Sequence, residues 1–198
     1  MSLHIALIEP KIPPNTGNIA RLCAATDTPL HLIEPLGFSL DQREVKRAGL
    51  DYWDQVDLWV HPNWFRFRDA ISRERCLYFS ANAEQDYRKA PFAANSVLIF
   101  GSETDGLPQK ILDKHPERCY RIPMPGDVRS LNLANAVSIV LYEGLRQLGV
   151  TDLPAEAAEF AAEEPETTEP DGAKAKAARG RSRGRGRGRG RGRARPAQ

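Results

Sequence analysis

The amino-acid sequence predicts an α/β domain built on a mostly parallel sheet with helices on both faces, followed by a disordered C-terminal tail. Three observations carry this expectation. Short, continuous apolar runs recur along the first 150 residues, the pattern of strands buried on both faces. Stretches with helical spacing separate them, the alternation of a layered α/β fold. Beyond residue 150 the chain changes abruptly to Ala, Glu, Thr and Pro and then to Arg and Gly, a composition that buries too little apolar surface to fold.

The elements follow in chain order. Leu3 to Ile8 is a compact apolar run and reads as a first strand, ended by Glu9-Pro10. Lys11 to Asn18 reads as a loop, because Pro13 and Pro14 disfavour both helix interior and sheet ladder. Ile19, Leu22, Cys23 and Thr26 then give a short helix carrying Arg21. Leu30 to Ile33 is a second strand, Leu40 to Ala48 a charged helix, Leu58 to Val60 a third strand and Trp64 to Ser72 a helix. Cys76 to Ser80 and Val97 to Phe100 are strands of the buried kind. A loop from Gly101 to Pro108 opens a helix near Gln109 to Lys114, and Tyr120 to Met124 reads as the end of a last strand.

Pro125-Gly126-Asp127 favours a tight reversal, and Ser130 is placed to cap a long helix. Leu131, Ala134, Val137, Leu141, Leu145 and Leu148 fall at helical spacing, while Leu133, Ala136, Ile139 and Val140 fill the other faces. A helix apolar nearly all round is buried on more than one side, which points to its own sheet and to another subunit. Asn132 and Asn135 lie in its first turn. Asparagine there is commonly a cap, but two of them beside Arg129 and Ser130 at a strand–turn–helix junction also suit a ligand site.

Charge divides the chain. Residues 1–150 carry 17 Lys+Arg against 18 Asp+Glu, so the domain is close to neutral. In residues 151–198 all eight acids lie between Asp152 and Asp171, and all eleven bases between Lys174 and Arg195. This marks a domain over 1–150, an acidic linker over 151–172 and a basic Arg-Gly tail over 173–198. Cys23, Cys76 and Cys119 are far apart and form no CxxC pair, so they read as reduced core residues, with no disulfide framework and no metal site. No stretch resembles a signal peptide or a membrane span. The expectation is a soluble cytoplasmic protein.

In parallel sheets, ligands sit outside the carboxyl ends of the strands. Three segments that follow strands are rich in Gly, Asn and Ser: Asn15–Asn18, Gly101–Gly106 and Pro125–Ser130. Their common edge is the candidate site. It lacks the Walker, dinucleotide, zinc-protease and serine-elbow sequences. His4, His31, His61 and His115 are scattered outside these segments and read as structural or exposed.

These motifs are specific enough to name a resemblance. Asn15-Thr16-Gly17-Asn18-Ile19-Ala20-Arg21, Phe100-Gly101-Ser102-Glu103-Thr104-Asp105-Gly106-Leu107-Pro108, and Ile122-Pro123-Met124 with Arg129-Ser130-Leu131-Asn132-Leu133-Ala134-Asn135 occur in this order. Together they resemble the SPOUT class of RNA methyltransferases over residues 1–149. Within it, the chain is similar to the small bacterial type that 2′-O-methylates the wobble nucleotide, cytidine or uridine 34, of tRNA. The resemblance implies a C-terminal deep trefoil knot and a homodimer through the helix after Ser130. It implies S-adenosylmethionine bound by Ser80, Gly101, Ile122, Ser130, Leu131 and Asn132. It assigns Arg21, Asn15, Glu103 and Asn135 to catalysis, and Arg21, Arg129 and Tyr142 to RNA.

The residue types suit the chemistry. Methyl transfer from a sulfonium needs an in-line hydroxyl and stabilisation of the charge it develops. A guanidinium, with a pKa above about 12, is a poor base, so Arg21 reads as a phosphate clamp and alkoxide stabiliser. Glu103 reads as orienting Arg21 or a backbone amide. Asp105 departs from the family pattern, which often has a basic residue there, and an acid at that point is expected to repel RNA phosphate. The Arg-Gly tail, with Arg181, Arg185 and Arg189, is expected to bind RNA phosphates without sequence preference. The rival readings are the same chemistry on ribosomal RNA and a non-catalytic RNA-binding or chaperone protein.

Overall fold

The computed structural model describes residues 2–40 and 55–150. The helix expected over Leu40–Ala48 is outside the described residues but for Leu40, and so are the acidic linker and the Arg-Gly tail with Arg181, Arg185 and Arg189.

The strands are β1 (His4–Ile8), β2 (Leu30–Ile33), β3 (Leu58–His61), β4 (Cys76–Phe79), β5 (Gln85–Asp86), β6 (Val97–Phe100) and β7 (Cys119–Arg121). They form one sheet in the order β3-β2-β1-β6-β4-β7-β5, and every neighbouring pair is parallel. The registers pair Ile8 with Ile33, Leu7 with Phe100, and Phe79 with both Phe100 and Tyr120. The carboxyl ends of the central strands therefore lie side by side. β2, β4 and β6 are buried at every residue, and β1 at all but His4, as their continuous apolar runs require.

Helices cover both faces. α1 (Pro13–Ala25) and α4 (Leu133–Gln147) pack on one, where Ile19, Ala20 and Cys23 meet Val137, Val140, Leu141 and Leu145 over Ile5, Leu7 and Leu98. α2 (Trp64–Ala70) and α3 (Gln109–Lys114) pack on the other, through Phe67, Ile111 and Leu112 against Ala6, Ile33 and Ile99. Each fully buried Val, Leu, Ile or Phe among these contributes about 1.5–3 kcal/mol. Among the described residues no helix is long and apolar enough to cross a membrane.

Three expectations need correction. α1 begins at Pro13, so Asn15–Asn18 is helix and not loop; the two prolines occupy its first positions, where a missing N–H breaks no hydrogen bond. The last strand stops at Arg121, since Pro123 has no N–H to give a ladder. The cap of α4 is Asn132 and not Ser130. Asn132 Oδ1 accepts from the amides of Ala134 at 2.9 Å and Asn135 at 3.4 Å, and helical dihedrals start only at Leu133.

The histidines are not all scattered. His4, His31 and His61 stand on adjacent strands and form a ladder, His4 Nδ1 to His31 Nε2 at 3.1 Å and His31 Nδ1 to His61 Nε2 at 3.0 Å. Each link needs one donor and one acceptor nitrogen, which three neutral rings provide. Burial, reinforced by His4 and His61, pulls the His31 pKa down to about 3; burial also lowers those of His61 and His4. The unfolded chain, with histidines near about 6.5, therefore takes up protons first as pH falls. The stability from the neutral ladder is whole above about pH 6.5 and is lost as pH drops toward the folded values, at up to about 1.4 kcal/mol per pH unit for each group. Asp86 and Glu143, held down to about 2 by Arg88 and Arg146, matter only at lower pH. Urea unfolding between pH 7.5 and 4.5 is expected to show the loss, and His31→Phe is expected to shrink it.

Candidate functional site

A cleft of about 680 Å³ opens at the carboxyl ends of β4, β6 and β7 and is closed on one side by the start of α4. Phe79 and Phe100, stacked with centroids 5.3 Å apart, form part of its apolar floor. Ile122, Leu131, Leu133 and Ala136 add further apolar wall, and Ser80, Asn82, Ser102, Arg129 and Ser130 supply polar groups. Leu133 and Ala136 thus explain part of the all-round apolar pattern of α4: one face packs on the sheet and another lines the cleft.

Every residue expected to hold the cofactor is here. Ser80, Gly101, Ile122, Ser130, Leu131 and Asn132 all line the cleft, and so do Asn15, Glu103 and Arg129. Arg21, Asn135 and Tyr142 are not among its walls. Arg21 is exposed on α1, and Asn135 and Tyr142 are exposed on α4.

The polar groups form one connected chain. Glu103 accepts from the backbone amides of Lys11 at 2.8 Å and Ile12 at 3.2 Å, at the entry to α1. Its Oε1 also accepts from Asn15 Nδ2 at 3.0 Å. Asn15 Oδ1 in turn accepts from Asn132 Nδ2 at 2.9 Å, and Asn132 caps α4 with its oxygen. This carboxylate–amide–amide relay joins three segments that are 88 and 117 residues apart in the chain. It satisfies backbone donors at two helix starts, which otherwise lack partners. Of the two roles expected for Glu103, orienting a backbone amide is the one these bonds match.

An asparagine suits position 132 because its amide both accepts and donates, so one side chain caps a helix and ties a neighbouring loop. Asn132→Asp keeps the accepting oxygen and loses the donor to Asn15. Its melting temperature is expected to stay near that of the unaltered protein, while cofactor affinity drops. Asn132→Ala loses the cap too and is expected to cost about 1–2 kcal/mol more. Thermal melts paired with calorimetry of cofactor binding check both.

Asp105 does not stand as an uncompensated acid. It pairs with Lys11 Nζ, and also accepts from Thr104 Oγ1 at 2.9 Å. Lys11 thus offsets the charge of Asp105 at the point where an acid was expected to repel RNA phosphate. Local sequence does not mark Lys11 as a partner of this loop, since Asp105 lies 94 residues away. The tight turn around Asp105 is closed by the Gly106 amide on the Ser102 carbonyl at 2.9 Å, with Gly106 at φ +68°, a conformation that glycine adopts without strain. Among the described residues no group of three His, Cys, Asp or Glu is placed to hold a metal ion.

The cleft suits a cofactor such as S-adenosylmethionine. Its volume lies in the ~300–1,000 Å³ range of small-molecule sites. Aromatic and aliphatic walls fit an adenine ring, and hydroxyls, amides and Arg129 fit ribose and an amino-acid end.

Comparison with known proteins agrees. Residues 2–142 match the SpoU rRNA Methylase family. The chain is 48% identical over 148 residues to a tRNA (cytidine(34)-2′-O)-methyltransferase of Aeromonas hydrophila, covering 74% of this chain and 95% of that protein. A solved structure concerned with 2-OH methylation of C/U34 on tRNA shares 48% identity at a TM-score of 0.69, over 75% of this chain and 97% of that one. An AdoMet-bound rRNA methyltransferase from Sinorhizobium meliloti superposes with a TM-score of 0.65 at 26% identity, over 74% of this chain but only 57% of that one. A family match across the sheet, the cleft and most of α4, together with relatives matched over nearly their whole length, means that this chain belongs to the SpoU rRNA Methylase family.

Proposed function

We propose that this protein transfers a methyl group from S-adenosylmethionine to the ribose 2′-hydroxyl of the wobble nucleotide, C34 or U34, in tRNA anticodons. The observation that carries the reading is the convergence of the three motif segments on one cleft, in a chain that matches tRNA (cytidine(34)-2′-O)-methyltransferases over 95% of the Aeromonas protein's length. The ribosomal-RNA alternative has less support, because the rRNA enzyme above is matched over only 57% of its length.

The cofactor supplies the reactive methyl group. Ser80, Gly101, Ile122, Ser130, Leu131 and Asn132 would hold it, and the relay from Glu103 through Asn15 to Asn132 ties the loop after Gly101 to the start of α4. Arg21 clamps a phosphate and stabilises the developing alkoxide by its field. Arg129, at the cleft mouth, is available to the RNA. Asn135 helps fix the ribose at the start of α4.

The active form in this reading is a homodimer through α4. Its support is an apolar surface left open: Ile139 and Tyr142, one turn apart, are 38% and 51% exposed. Since Arg21 lies outside its own cleft, either the bound RNA or a second copy must bring it to the reacting ribose. The deep trefoil knot at the C-terminal end of the domain belongs to the same reading, supported by the structural match. So does the division into a domain over 1–150, an acidic linker over 151–172 and an RNA-binding Arg-Gly tail over 173–198. A cytoplasmic location follows from the proposed substrate.

Purified protein incubated with radiolabelled S-adenosylmethionine and with unmodified or native tRNA tests the reading. Nuclease mapping is expected to place the label in a 2′-O-methyl nucleotide at position 34. Cofactor binding without labelling of either pool would shift the substrate to ribosomal RNA. Failure to bind cofactor in calorimetry would favour the non-catalytic RNA-binding role.

A further inference from the structure

We propose that Lys11 and Asp105 form a charge clasp between the segment after β1 and the loop after β6 that positions Glu103, and through it sets the rate of methyl transfer; the inference rests on the reading given above. Lys11 is held at both ends by one loop. Its backbone amide donates to Glu103 Oε2 at 2.8 Å, and its Nζ donates to Thr104 Oγ1 at 3.1 Å and pairs with Asp105. Asp105 is oriented in turn by Thr104 Oγ1 at 2.9 Å and Ser102 Oγ at 3.3 Å. Behind Lys11, the Gly37 amide donates to the Pro10 carbonyl at 2.9 Å, so the segment is seated from the β2 side as well.

The clasp is the outermost link of the chain that runs inward from Glu103 to Asn15 and Asn132. Lys11 and Asp105 are exposed, whereas Asn15 is buried. Exposed ion pairs add little to folding, so the pair is not explained by stability. What it fixes is the distance between the segment after β1 and the segment after β6. Glu103 must bridge that gap to reach two amides and an asparagine at once. Their mutual hydrogen bond raises the Lys11 pKa and lowers that of Asp105, so both stay charged around neutral pH.

A clasp depends on opposite charges and not on which side carries which. A phosphate-binding lysine, by contrast, must be positive. The full-length chain carrying Lys11→Glu, Asp105→Lys or both separates the two. Three quantities are read: kcat and KM for tRNA at saturating cofactor, hydrogen exchange of the amides at 11 and 12, and the melting temperature. Each single reversal is expected to lower kcat about ten-fold, the size of a modest mispositioning, and to speed exchange at these amides with little change in melting. The double swap is expected to restore both kcat and protection.

Unchanged kcat and protection in the single variants would overturn the proposal. So would a double swap as impaired as the worse single variant. A Lys11→Glu chain with kcat and protection intact but raised KM and a salt slope smaller by about one would make Lys11 a phosphate contact, and would also overturn it. The exchange arm needs no turnover. If the unaltered protein methylates no tRNA while protection is lost and regained as expected, the clasp's positioning of Glu103 stands, and the methyl-transfer reading and the rate effect fall.

Discussion

Arg21→Ala is expected to lower kcat for tRNA methylation by about 10²–10³-fold, the usual loss when one preorganised charge-stabilising group is removed. Cofactor affinity and melting temperature are expected to remain unchanged. The reason is positional. Arg21 is exposed on α1 and is not a wall of the cleft, so truncating it leaves the core and the cofactor-holding segments intact. Single-turnover rates at saturating RNA, combined with calorimetry, separate the two effects. Arg21→Lys is expected to recover only part of the rate, since an ammonium keeps the charge but not the planar two-pronged donor set. Loss of cofactor binding in Arg21→Ala would assign this residue to the cofactor instead.

Gly101→Ala is expected to abolish cofactor binding and to destabilise the domain by at least the ~1–3 kcal/mol typical of overpacking. A Cβ on Gly101 would lie 2.0 Å from the carbonyl carbon and oxygen of Gly106 and 2.2 Å from the amide nitrogen of Leu107. All three are backbone atoms, so no side-chain rotation relieves the clash. The loop must open, and with it go the Ser102–Gly106 bridge and the placement of Glu103 and Asp105. Gly126→Ala is the control, since a Cβ there meets nothing within 4 Å. It is expected to bind cofactor and melt like the unaltered chain. Equal behaviour of the two variants would show that the 101–106 loop is not part of the cofactor site.

Much of this was legible in the linear chain. Four of the strands are apolar at nearly every position because both sheet faces are covered, and that signal needs no partner to be read. The three motif segments were recognisable because short polar runs rich in Gly, Asn and Ser stand out between such strands. Six expected cofactor contacts do line one cleft. Where reading failed locally, at Pro13-Pro14 and at the cap of α4, two placements were each compatible with local propensity. Proline suits a first helical turn as well as a loop, and Ser130 and Asn132 are both good caps.

Local sequence by itself determined the α/β class, the position of the buried strands, the placement of candidate ligand segments after them and the change of character beyond residue 150. Only the tertiary structure decided that β6 lies between β1 and β4, which brings Glu103 to the entry of α1. It also decided that Asn132, besides capping α4, is tied to Asn15, that Lys11 answers Asp105, and that three histidines spaced along the chain form one ladder. The physical reason is common to all of them. Strand propensity and caps depend on neighbours within a turn or two, whereas these contacts join residues from 27 to 117 positions apart. They exist only once parallel pairing has fixed which carboxyl ends stand together.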